Sequence, residues 1–214
     1  QRGKGVSAAR AYALKIIRRL NNRQQVWIGK LDVRKYFSNV DHEILIRMLS
    51  RKIKDAKIMN LCRKIIKSFG INGKGLPLGN LTSQWFANIY LHELDFYAKH
   101  GLKIKHYLRY NDDMILISDN KQELSVFVGQ IQHFVSERLL LDIPREKIAI
   151  TALPKPVDIL GLCSNGSYCW WRKITVKKAQ KNLMEKMIMR ESNALDAASS
   201  YYGLGVGCNY LDFI

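Results

Sequence analysis

The chain has 214 residues, 47% of them hydrophobic, so it is long enough to bury a core in one or two domains. Thirty-five Lys and Arg against 18 Asp and Glu give a formal net charge of +17. This excess favours a polyanionic partner over an anionic membrane, because no strongly amphipathic terminal helix accompanies it. No apolar run reaches about 18 residues and no signal peptide is visible, so we expect neither a transmembrane helix nor secretion.

The cysteines favour neither a zinc site nor a disulfide framework, because they are scattered and form no Cys-x-x-Cys pair. They are Cys62, Cys163, Cys169 and Cys208. Such a pattern is typical of a reducing, intracellular compartment. The chain starts at Gln1 without an initiator Met, and we expect it to be part of a longer protein.

A basic glycine loop opens the chain, with Gly3 and Gly5 on either side of Lys4. Its backbone N–H groups and ammonium suit phosphate, although most loops of this kind are only solvated turns. Ser7 is predicted to cap a first helix. A strand is predicted from Val26 to Val33 and places Asp32 at its end, on a sheet edge where ligands are commonly held.

Two helices are predicted next, the first with Asp41 as its N-cap. Its inward-facing residues are Ile44, Leu45, Met48 and Leu49. The apolar residues of the second are Ile58, Leu61, Cys62, Ile65, Ile66 and Phe69. Its other face carries Lys57, Arg63, Lys64 and Lys67. A solvated face is the ordinary explanation for these charges, but the scarcity of acidic residues there favours contact with phosphate.

A glycine-rich loop from Gly70 to Gly79 leads into a long predicted helix from about Asn80 to Lys99. This helix is apolar nearly all round, so we expect it to be buried. Glycines at the entry of such a helix let a flat ligand approach the backbone closely.

Two adjacent carboxylates, Asp112 and Asp113, stand between two predicted strands. Residues 104–110 alternate in the manner of a half-buried strand, and Met114 to Ile117 form an apolar run typical of a strand covered on both faces. Asn111 and Asp112 are turn residues, so the carboxylates are expected at the tip of a tight hairpin. A bare Asp-Asp is more often a polar turn than a metal site, but neighbouring carboxylates repel each other and are tolerated where a cation binds.

The remaining elements are a helix over 121–140, a short strand over 147–150, a hairpin and a basic helix. Asn165-Gly166 is a strong hairpin signal between the apolar segments 159–162 and 168–171. Thr175 is predicted to open the basic helix. No internal repeat or low-complexity segment is visible.

The carboxylates predict a chemistry when they are taken together. Asp32, Asp112 and Asp113, from two sheet tips, can hold two Mg²⁺ ions roughly 3.5–4 Å apart, the arrangement for in-line phosphoryl transfer. Mg²⁺ prefers few protein carboxylates plus substrate phosphates, which matches a sparse acidic set in a basic chain. No histidine nucleophile or metal-ligand pattern is needed or present.

The ordered motifs resemble those of reverse transcriptases over nearly the whole chain. They are Leu31–Phe37, Gly75–Gln84, Tyr110–Asp113, Lys147 and Ile159–Gly161. The chain is most similar to the enzymes of bacterial and phage diversity-generating retroelements, which share the Gly-Asn-x-x-Ser-Gln form of the second motif and a tail like residues 198–203. Asn111 departs from the family pattern, and the most N-terminal family motif is missing.

The resemblance implies an α+β, right-hand polymerase fold with fingers, palm and thumb, whose antiparallel palm sheet is flanked by helices. The implied boundaries are partial fingers at 1–25, palm with the first carboxylate at 26–52, fingers and palm helices at 53–74, palm at 75–156, a primer-grip hairpin at 157–174 and thumb at 175–214. It also implies RNA-templated DNA synthesis with two Mg²⁺ ions, for which Mn²⁺ can substitute.

Site residues are carried over from the matching motifs. Metal ligands are Asp32, Asp112, Asp113 and the Val33 carbonyl, and Lys147 is implied as a general acid. Nucleotide contacts are Arg2, Lys4, Phe37, Leu78, Gly79 and Gln84, of which Phe37 is the aromatic gate below the sugar. Primer and template contacts are Tyr110, Leu160, Gly161, Lys173 and Lys177. An aliphatic Leu78, where many reverse transcriptases carry Gln, implies error-prone copying of template adenines.

The implied partners are an RNA template, a DNA primer or cDNA, deoxynucleotides and a small basic accessory protein. The implied location is the bacterial cytoplasm, and the gene is expected to be bacterial or phage-encoded. Two alternatives stay open. Within the enzymes, the chain is a group II intron, retron or phage-defence reverse transcriptase. Outside them, it is a non-catalytic nucleic-acid-binding palm, which the intact set of three carboxylates disfavours.

Overall fold

A computed structural model describes residues 5–22, 25–77, 79–189 and 199. Three residues with predicted roles, Arg2, Lys4 and Leu78, lie outside the described residues, and so does the tail of 198–203 apart from Ser199. Within the described part, none of the helices has the length and apolar content needed to cross a bilayer.

Helices and strands alternate irregularly along the described chain. The α-helices are α1 (Val6–Asn21), α2 (Tyr36–Asn39), α3 (His42–Lys52), α4 (Ala56–Lys67), α5 (Leu81–Tyr90), α6 (His92–Phe96), α7 (Lys121–Leu139) and α8 (Lys173–Ile188). A π-helical turn covers Tyr97–Gly101 and a 3₁₀ turn covers Arg145–Lys147. The strands are β1 (Trp27–Asp32), β2 (Tyr107–Tyr110), β3 (Asp113–Ser118), β4 (Ile148–Ala152), β5 (Val157–Ile159), β6 (Leu162–Ser164) and β7 (Cys169–Trp171).

The chain divides into two compact units. One unit is Gly29–Ile150, and the other combines Gln1–Ile28 with Thr151–Ile214. The mixture of helices with antiparallel strands confirms the predicted α+β class, while the finger, palm and thumb boundaries stay predictions.

A four-stranded sheet has the strand order β2-β3-β1-β4, with Asp32 on β1 and Asp113 on β3. Its strand β3 is the most deeply buried, because Met114 to Ile117 are all 0–3% exposed, which confirms a strand covered on both faces. Helix α7 packs on this sheet through Leu124 and Val128. A Cβ added at Gly29 of β1 would lie 3.3 Å from the Leu124 side chain, so glycine permits this close packing.

The N-termini of the first helices differ in how they are capped. As predicted, Asp41 caps α3, and its side chain accepts hydrogen bonds from the backbone N–H groups of Glu43 and Ile44, both at 3.0 Å. Ser7 was the wrong cap for α1, because the helix already begins at Val6 and the extended N-cap residue is Gly5.

The long buried helix predicted over 80–99 is wrong in two respects. The segment is broken at Leu91 into α5 and α6 and ends in a π-helical turn. Only one stripe of α5 is buried, namely Ser83, Phe86, Ala87 and Tyr90. Leu81 and Trp85 are 72% and 64% exposed. A helix that is apolar all round gives no sign of which face is buried, and this one packs along one stripe only.

Helix α4 forms as predicted but is largely exposed, and the structure shows Asp55 as its N-cap. Within it only Met59 and Ile66 are buried, and Ile58 and Leu61 are more than half exposed.

In the other unit, β5, β6 and β7 form a three-stranded antiparallel sheet. The Asn165-Gly166 hairpin is confirmed, since Ser164 of β6 pairs with Cys169 of β7 and Gly166 has a φ of 97°. The apolar segment 159–162 is not continuous, because a two-residue turn at Leu160 and Gly161 separates β5 from β6. The basic helix α8 begins at Lys173, two residues before the predicted start.

Candidate active site

Asp32 is the last residue of β1 and lies beside the turn that precedes β4. The Lys147 Nζ is 2.5 Å from the Asp32 Oδ2, and the two side chains are about half and one-third exposed. The hydrogen bond to Asp32 raises the pKa of Lys147, and the charges of Asp112 and Asp113 raise it further. Lys147 is therefore a protonated ammonium at neutral pH, within electrostatic reach of all three predicted carboxylates.

The predicted tight hairpin between β2 and β3 is confirmed. Tyr110 pairs with Asp113, so the connecting loop is only Asn111 and Asp112. Asn111 has a φ of 52°, a left-handed conformation that Asn tolerates better than most residues. Asp112 stands in the turn, whereas Asp113 is the first residue of β3. The two adjacent carboxylates therefore have different backbone settings.

The pKa of Asp112 is raised above its ordinary value. Burial of the carboxyl is the largest cause, and the negative charge of Asp32 adds to it, while Lys147 and Arg109 oppose it. Asp32 and Asp112 are therefore close enough for their charges to repel, as expected of carboxylates from two neighbouring sheet tips.

These residues fit a divalent cation by their chemistry. They offer hard oxygen donors, and a cation would relieve the repulsion that raises the pKa of Asp112. Across residues 5–22, 25–77, 79–189 and 199, however, no three His, Cys, Asp or Glu side chains are gathered closely enough to hold a metal ion. The ligand set of Asp32, Asp112, Asp113 and the Val33 carbonyl stays a prediction.

Phe37, the predicted sugar gate, lies on the short helix α2 just beyond Asp32. Its ring is half-buried and meets the ring of Tyr36 edge-on, with centroids 5.6 Å apart. The Tyr36 hydroxyl is buried and donates to the Ala87 carbonyl of α5. The Leu76 N–H donates to the Phe37 carbonyl at 2.7 Å, so the end of the glycine loop is bonded to α2. These contacts fix the backbone of Phe37, but its role as a gate stays a prediction.

Gly79 and Gln84, the other described nucleotide contacts, flank the start of α5. Gly79 has a φ of 89°, and a Cβ added there would meet nothing within 4 Å. Gln84 is exposed, while the intervening Ser83 is 1% exposed and its hydroxyl has no hydrogen-bond partner in the structure. The open space beside Gly79 is compatible with a nucleotide, but its role and that of Gln84 stay predictions.

An ion pair between Arg109 and Asp95, partly buried behind the β2–β3 hairpin, was not predicted from the sequence. The alternation over 104–110 indicates that polar residues of β2 face solvent, yet Tyr107 is 7% exposed and the Arg109 side chain 9%. The Arg109 guanidinium binds Asp95 of α6 through two hydrogen bonds of 2.8 and 2.6 Å. No local signal links the two residues, which are 14 positions apart on different elements.

The predicted primer and template contacts are spread over both units. Tyr110 is half-buried at the end of β2. Leu160 and Gly161 form the β5–β6 turn, and Lys173 and Lys177 are exposed on α8. Their positions are established within each unit, and their nucleic-acid contacts stay predictions.

Comparisons with known proteins agree with these motifs. A family model described as "Reverse transcriptase (RNA-dependent DNA polymerase)" matches residues 5–163. The group II intron-encoded protein LtrA of Lactococcus lactis subsp. cremoris is 25% identical, and the match covers 63% of this chain and 34% of LtrA. Protein YkfC of Escherichia coli is 35% identical over a match that covers 33% of this chain and 20% of YkfC. The chain thus spans about a third or less of the length of these relatives.

Solved telomerase structures share the fold. Apo telomerase from Candida tropicalis, truncated from its C-terminal domain, has a TM-score of 0.59 at 16% identity and covers 76% of this chain and 39% of that one. Telomerase from Candida albicans in complex with a fragment of telomeric RNA has a TM-score of 0.59 at 14% identity, over 91% of this chain and 42% of that one. At these identities the likeness establishes the right-hand fold alone.

Proposed function

Because the chain belongs to the reverse transcriptase family, we propose that it copies an RNA template into DNA by adding deoxynucleotides to a primer. The observation that carries the proposal is the family match over residues 5–163, which includes Asp32, Asp112, Asp113 and Lys147. A palm that only binds nucleic acid does not need repelling carboxylates beside a lysine, so the charges of the site favour catalysis.

The family generally uses divalent metal ions, and we propose Mg²⁺ for this chain. Asp32, Asp112 and Asp113, with the Val33 carbonyl, would hold two ions, and Mn²⁺ would substitute for Mg²⁺. When bound, the ions would activate the primer 3′-hydroxyl and stabilise the charge of the leaving pyrophosphate.

Lys147 is suited to give a proton to that leaving group. Its ammonium is protonated at neutral pH, and the hydrogen bond to Asp32 holds it beside the predicted metal ligands. That bond also raises the pKa of Lys147, which by itself makes the ammonium a weaker acid. Phe37 would lie below the sugar and exclude a 2′-hydroxyl. Arg2 and Lys4 would bind the triphosphate, and Leu78, Gly79 and Gln84 would line the nascent base pair.

The proposed partners are an RNA template, a DNA primer or growing cDNA, and deoxynucleotides. The formal net charge of +17 supports a long polyanion as ligand. Tyr110, Leu160, Gly161, Lys173 and Lys177 would contact primer and template. A small basic accessory protein and a bacterial cytoplasmic location belong to the same proposal.

Primer extension tests the activity directly. The protein, extended to its full natural length, is given an RNA template, a DNA primer, deoxynucleotides and Mg²⁺, and we expect primer elongation that chelation by EDTA abolishes. A DNA template of the same sequence measures the preference for RNA. Absence of any extension, with tight and salt-sensitive binding of the primer–template, would favour the non-catalytic palm instead.

We also propose that the enzyme serves a diversity-generating retroelement and copies template adenines with errors. The support is the Gly79-Asn80 and Ser83-Gln84 form of the second motif, together with the aliphatic Leu78. A hydrophobic contact discriminates between partners by only about 1–3 kcal/mol, whereas unpaired polar groups reject a mismatch more strongly.

A group II intron enzyme is the second candidate, because the intron-encoded protein LtrA is among the relatives. Sequencing of cDNA copied from one adenine-rich template separates the two. We expect frequent errors at adenines and fewer with Leu78→Gln or Leu78→Asn. An equally low error frequency in wild type and variants would favour the intron type and remove Leu78 from the fidelity argument.

A further inference from the structure

Arg109 makes four hydrogen bonds from a side chain that is only 9% exposed. Nε and Nη2 donate to the two carboxylate oxygens of Asp95, at 2.8 and 2.6 Å. Nη1 donates to the backbone carbonyl of Asn111 at 2.8 Å and to the Asn88 side-chain oxygen at 3.2 Å. The guanidinium therefore joins α5 and α6 to the turn between β2 and β3.

The carbonyl held by Arg109 belongs to the peptide group that leads into Asp112. A peptide group is planar, so fixing its carbonyl oxygen also fixes the direction of its N–H and the position of the next Cα. The next Cα is that of Asp112. Asn111 holds a left-handed φ of 52°, so the turn is an uncommon backbone conformation that the hydrogen bond to Arg109 stabilises.

We propose that Arg109, locked by Asp95, is a positioning residue that sets the backbone from which the Asp112 carboxylate projects. The inference rests on the proposed function, in which Asp112 takes part in catalysis. It also assigns a role to Asn111, the residue that departs from the family pattern, because its backbone supplies the acceptor in a conformation that Asn tolerates.

The geometry suits an arginine and no other cation. A planar guanidinium can bind a carboxylate with two parallel bonds and still direct Nη1 to a third group, whereas a lysine ammonium makes no such fixed fork. Tyr107 strengthens the lock, since its hydroxyl donates to the Asp95 Oδ1 at 3.0 Å. Burial lowers the pKa of Arg109, but the bonds to Asp95 outweigh it, so the guanidinium stays charged.

Asp95→Asn and Arg109→Lys test the inference in the full-length protein. Asp95→Asn keeps the shape of the side chain and removes the paired carboxylate, and Arg109→Lys keeps the charge and removes the fork. Because small misplacement of a reacting group lowers rates strongly, we expect kcat of primer extension to fall about a hundredfold in each variant. The KM for deoxynucleotides and the affinity for primer–template should change little.

Hydrogen exchange gives a readout that does not depend on activity. Loss of a hydrogen bond to a charged donor should speed exchange of the amides around residues 110–113 by about tenfold, while amides of α7 keep their wild-type protection. The matched control is Arg51→Ala, which breaks the exposed 2.6 Å ion pair between Arg51 and Glu93 of α6. We expect wild-type kcat and wild-type exchange at the turn for this control.

Three results would overturn the inference: wild-type kcat in a folded variant, unchanged exchange at the turn, or loss of the fold in both variants, which would make the pair purely structural. A wild-type protein that extends no primer would instead contradict the proposed function, and the exchange experiment would still decide whether Arg109 fixes the turn.

Discussion

The two units each contain a hairpin with a two-residue turn, and the two turns share a left-handed first residue. In the β2–β3 hairpin the turn is Asn111-Asp112, and in the β5–β6 hairpin it is Leu160-Gly161. The first residue of each turn is left-handed, with a φ of 52° at Asn111 and 53° at Leu160. In each, an arginine donates to the carbonyl of that first residue.

The arginines reach the two turns from different places. Arg109 lies on β2 itself, and its Nη1 is 2.8 Å from the Asn111 carbonyl oxygen. Arg10 lies on α1, far away in sequence, and its Nε and Nη2 are 3.0 and 2.5 Å from the Leu160 carbonyl oxygen. The Arg10 guanidinium also lies over the Trp171 ring, 5.0 Å from its centroid.

A bidentate Arg–Asp pair supports each hairpin, but the two pairs differ in burial. The Arg109 side chain is 9% exposed, whereas Arg172, which binds Asp158 with bonds of 2.6 and 2.7 Å, is 42% exposed. Asp158 also accepts a hydrogen bond from the Gly161 N–H at 2.9 Å. Removing one partner of a buried charge pair lowers the stability of a protein far more than removing one partner of an exposed pair. We therefore expect the Arg–Asp pair of the first hairpin to contribute more to stability than that of the second.

The two turns share a left-handed first residue but differ at the second, which has a positive φ in Gly161 and not in Asp112. In the first hairpin the second turn residue carries a carboxylate, Asp112, which is predicted to bind metal. In the second it is Gly161, which has no side chain to project from the turn. The residue at the second turn position thus determines both the backbone of the turn and whether a charged side chain projects from it.

The largest expected effect comes from a substitution that changes the carboxylate of the first turn and leaves the second turn intact. If Asp112 binds metal as proposed, Asp112→Asn removes one ligand charge, and we expect primer extension to fall by at least about a thousandfold. Binding of primer–template should survive, because the basic residues supply the affinity, and it should weaken steeply with salt. Gel-based primer extension and fluorescence anisotropy measure the two. Continued synthesis by the variant would contradict the assignment of Asp112.

The same variant should be more stable at neutral pH than the wild type. The folded protein raises the pKa of Asp112 above its ordinary 3.8, mainly by burial, so folding favours the protonated form. Stability from this group is present below the ordinary pKa and is lost as pH rises through the raised one. Asn carries no charge and avoids that loss.

Thermal unfolding in EDTA at pH 7 and at pH 3 measures this effect. We expect the Tm of Asp112→Asn to exceed that of wild type at pH 7 and the difference to shrink at pH 3. A variant that is less stable at both values would show that the charged carboxylate makes favourable contacts in the folded state.

A second prediction tests whether the incoming nucleotide binds between the first hairpin and Phe37. If Phe37 lies below the sugar there, Phe37→Ala should admit ribonucleotides, which we expect the wild type to reject. We expect incorporation of ribonucleotides to rise by about a hundredfold relative to deoxynucleotides, since an unfavourable steric contact is removed.

Single-nucleotide extension with dNTP or NTP measures the ratio. Trp85→Ala is a suitable control, because it removes an aromatic ring that is 64% exposed on α5. A stable Phe37→Ala protein that still rejects ribonucleotides would show that Phe37 only packs against Tyr36.

Much of the first hairpin is predictable from the sequence, because its signals are local. The apolar run before Ser118 specifies a covered strand, and the Asn-Asp pair specifies the turn. The support for the site is not local. Lys147 and Asp32 are 115 positions apart, and no periodicity brings them together. The alternation along β2 predicts that Arg109 faces solvent. Its side chain is nevertheless largely buried, because α6 supplies Asp95 as its partner.

The second hairpin is less predictable for a different reason. The residues 159–162 form a single apolar segment, and Leu is a poor residue for a left-handed turn, so the sequence favours a continuous strand there. The hydrogen bonds that Arg10 donates to the Leu160 carbonyl and that Asp158 accepts from the Gly161 N–H stabilise the turn from outside the segment. Tertiary contacts thus override the local preference.

The smallest effect follows from this contrast and concerns the first residue of each turn. Asn tolerates the left-handed region, whereas Leu pays about 1 kcal/mol or more for it. Asn111→Ala should therefore lower the free energy of unfolding by about 1 kcal/mol, and Leu160→Asn should raise it by a similar amount. Both turn residues of the β5–β6 hairpin have positive φ, so Asn before Gly161 suits it well. Denaturant unfolding of each variant measures these values.

The matched controls are Asn60→Ala and Leu61→Asn on the exposed surface of α4, where the backbone is helical. There the same changes should alter the free energy of unfolding with the opposite signs, because Ala and Leu favour helices more than Asn does. If the turn variants changed stability with the signs of the helix controls, backbone conformation at Asn111 and Leu160 would not be what distinguishes the two hairpins.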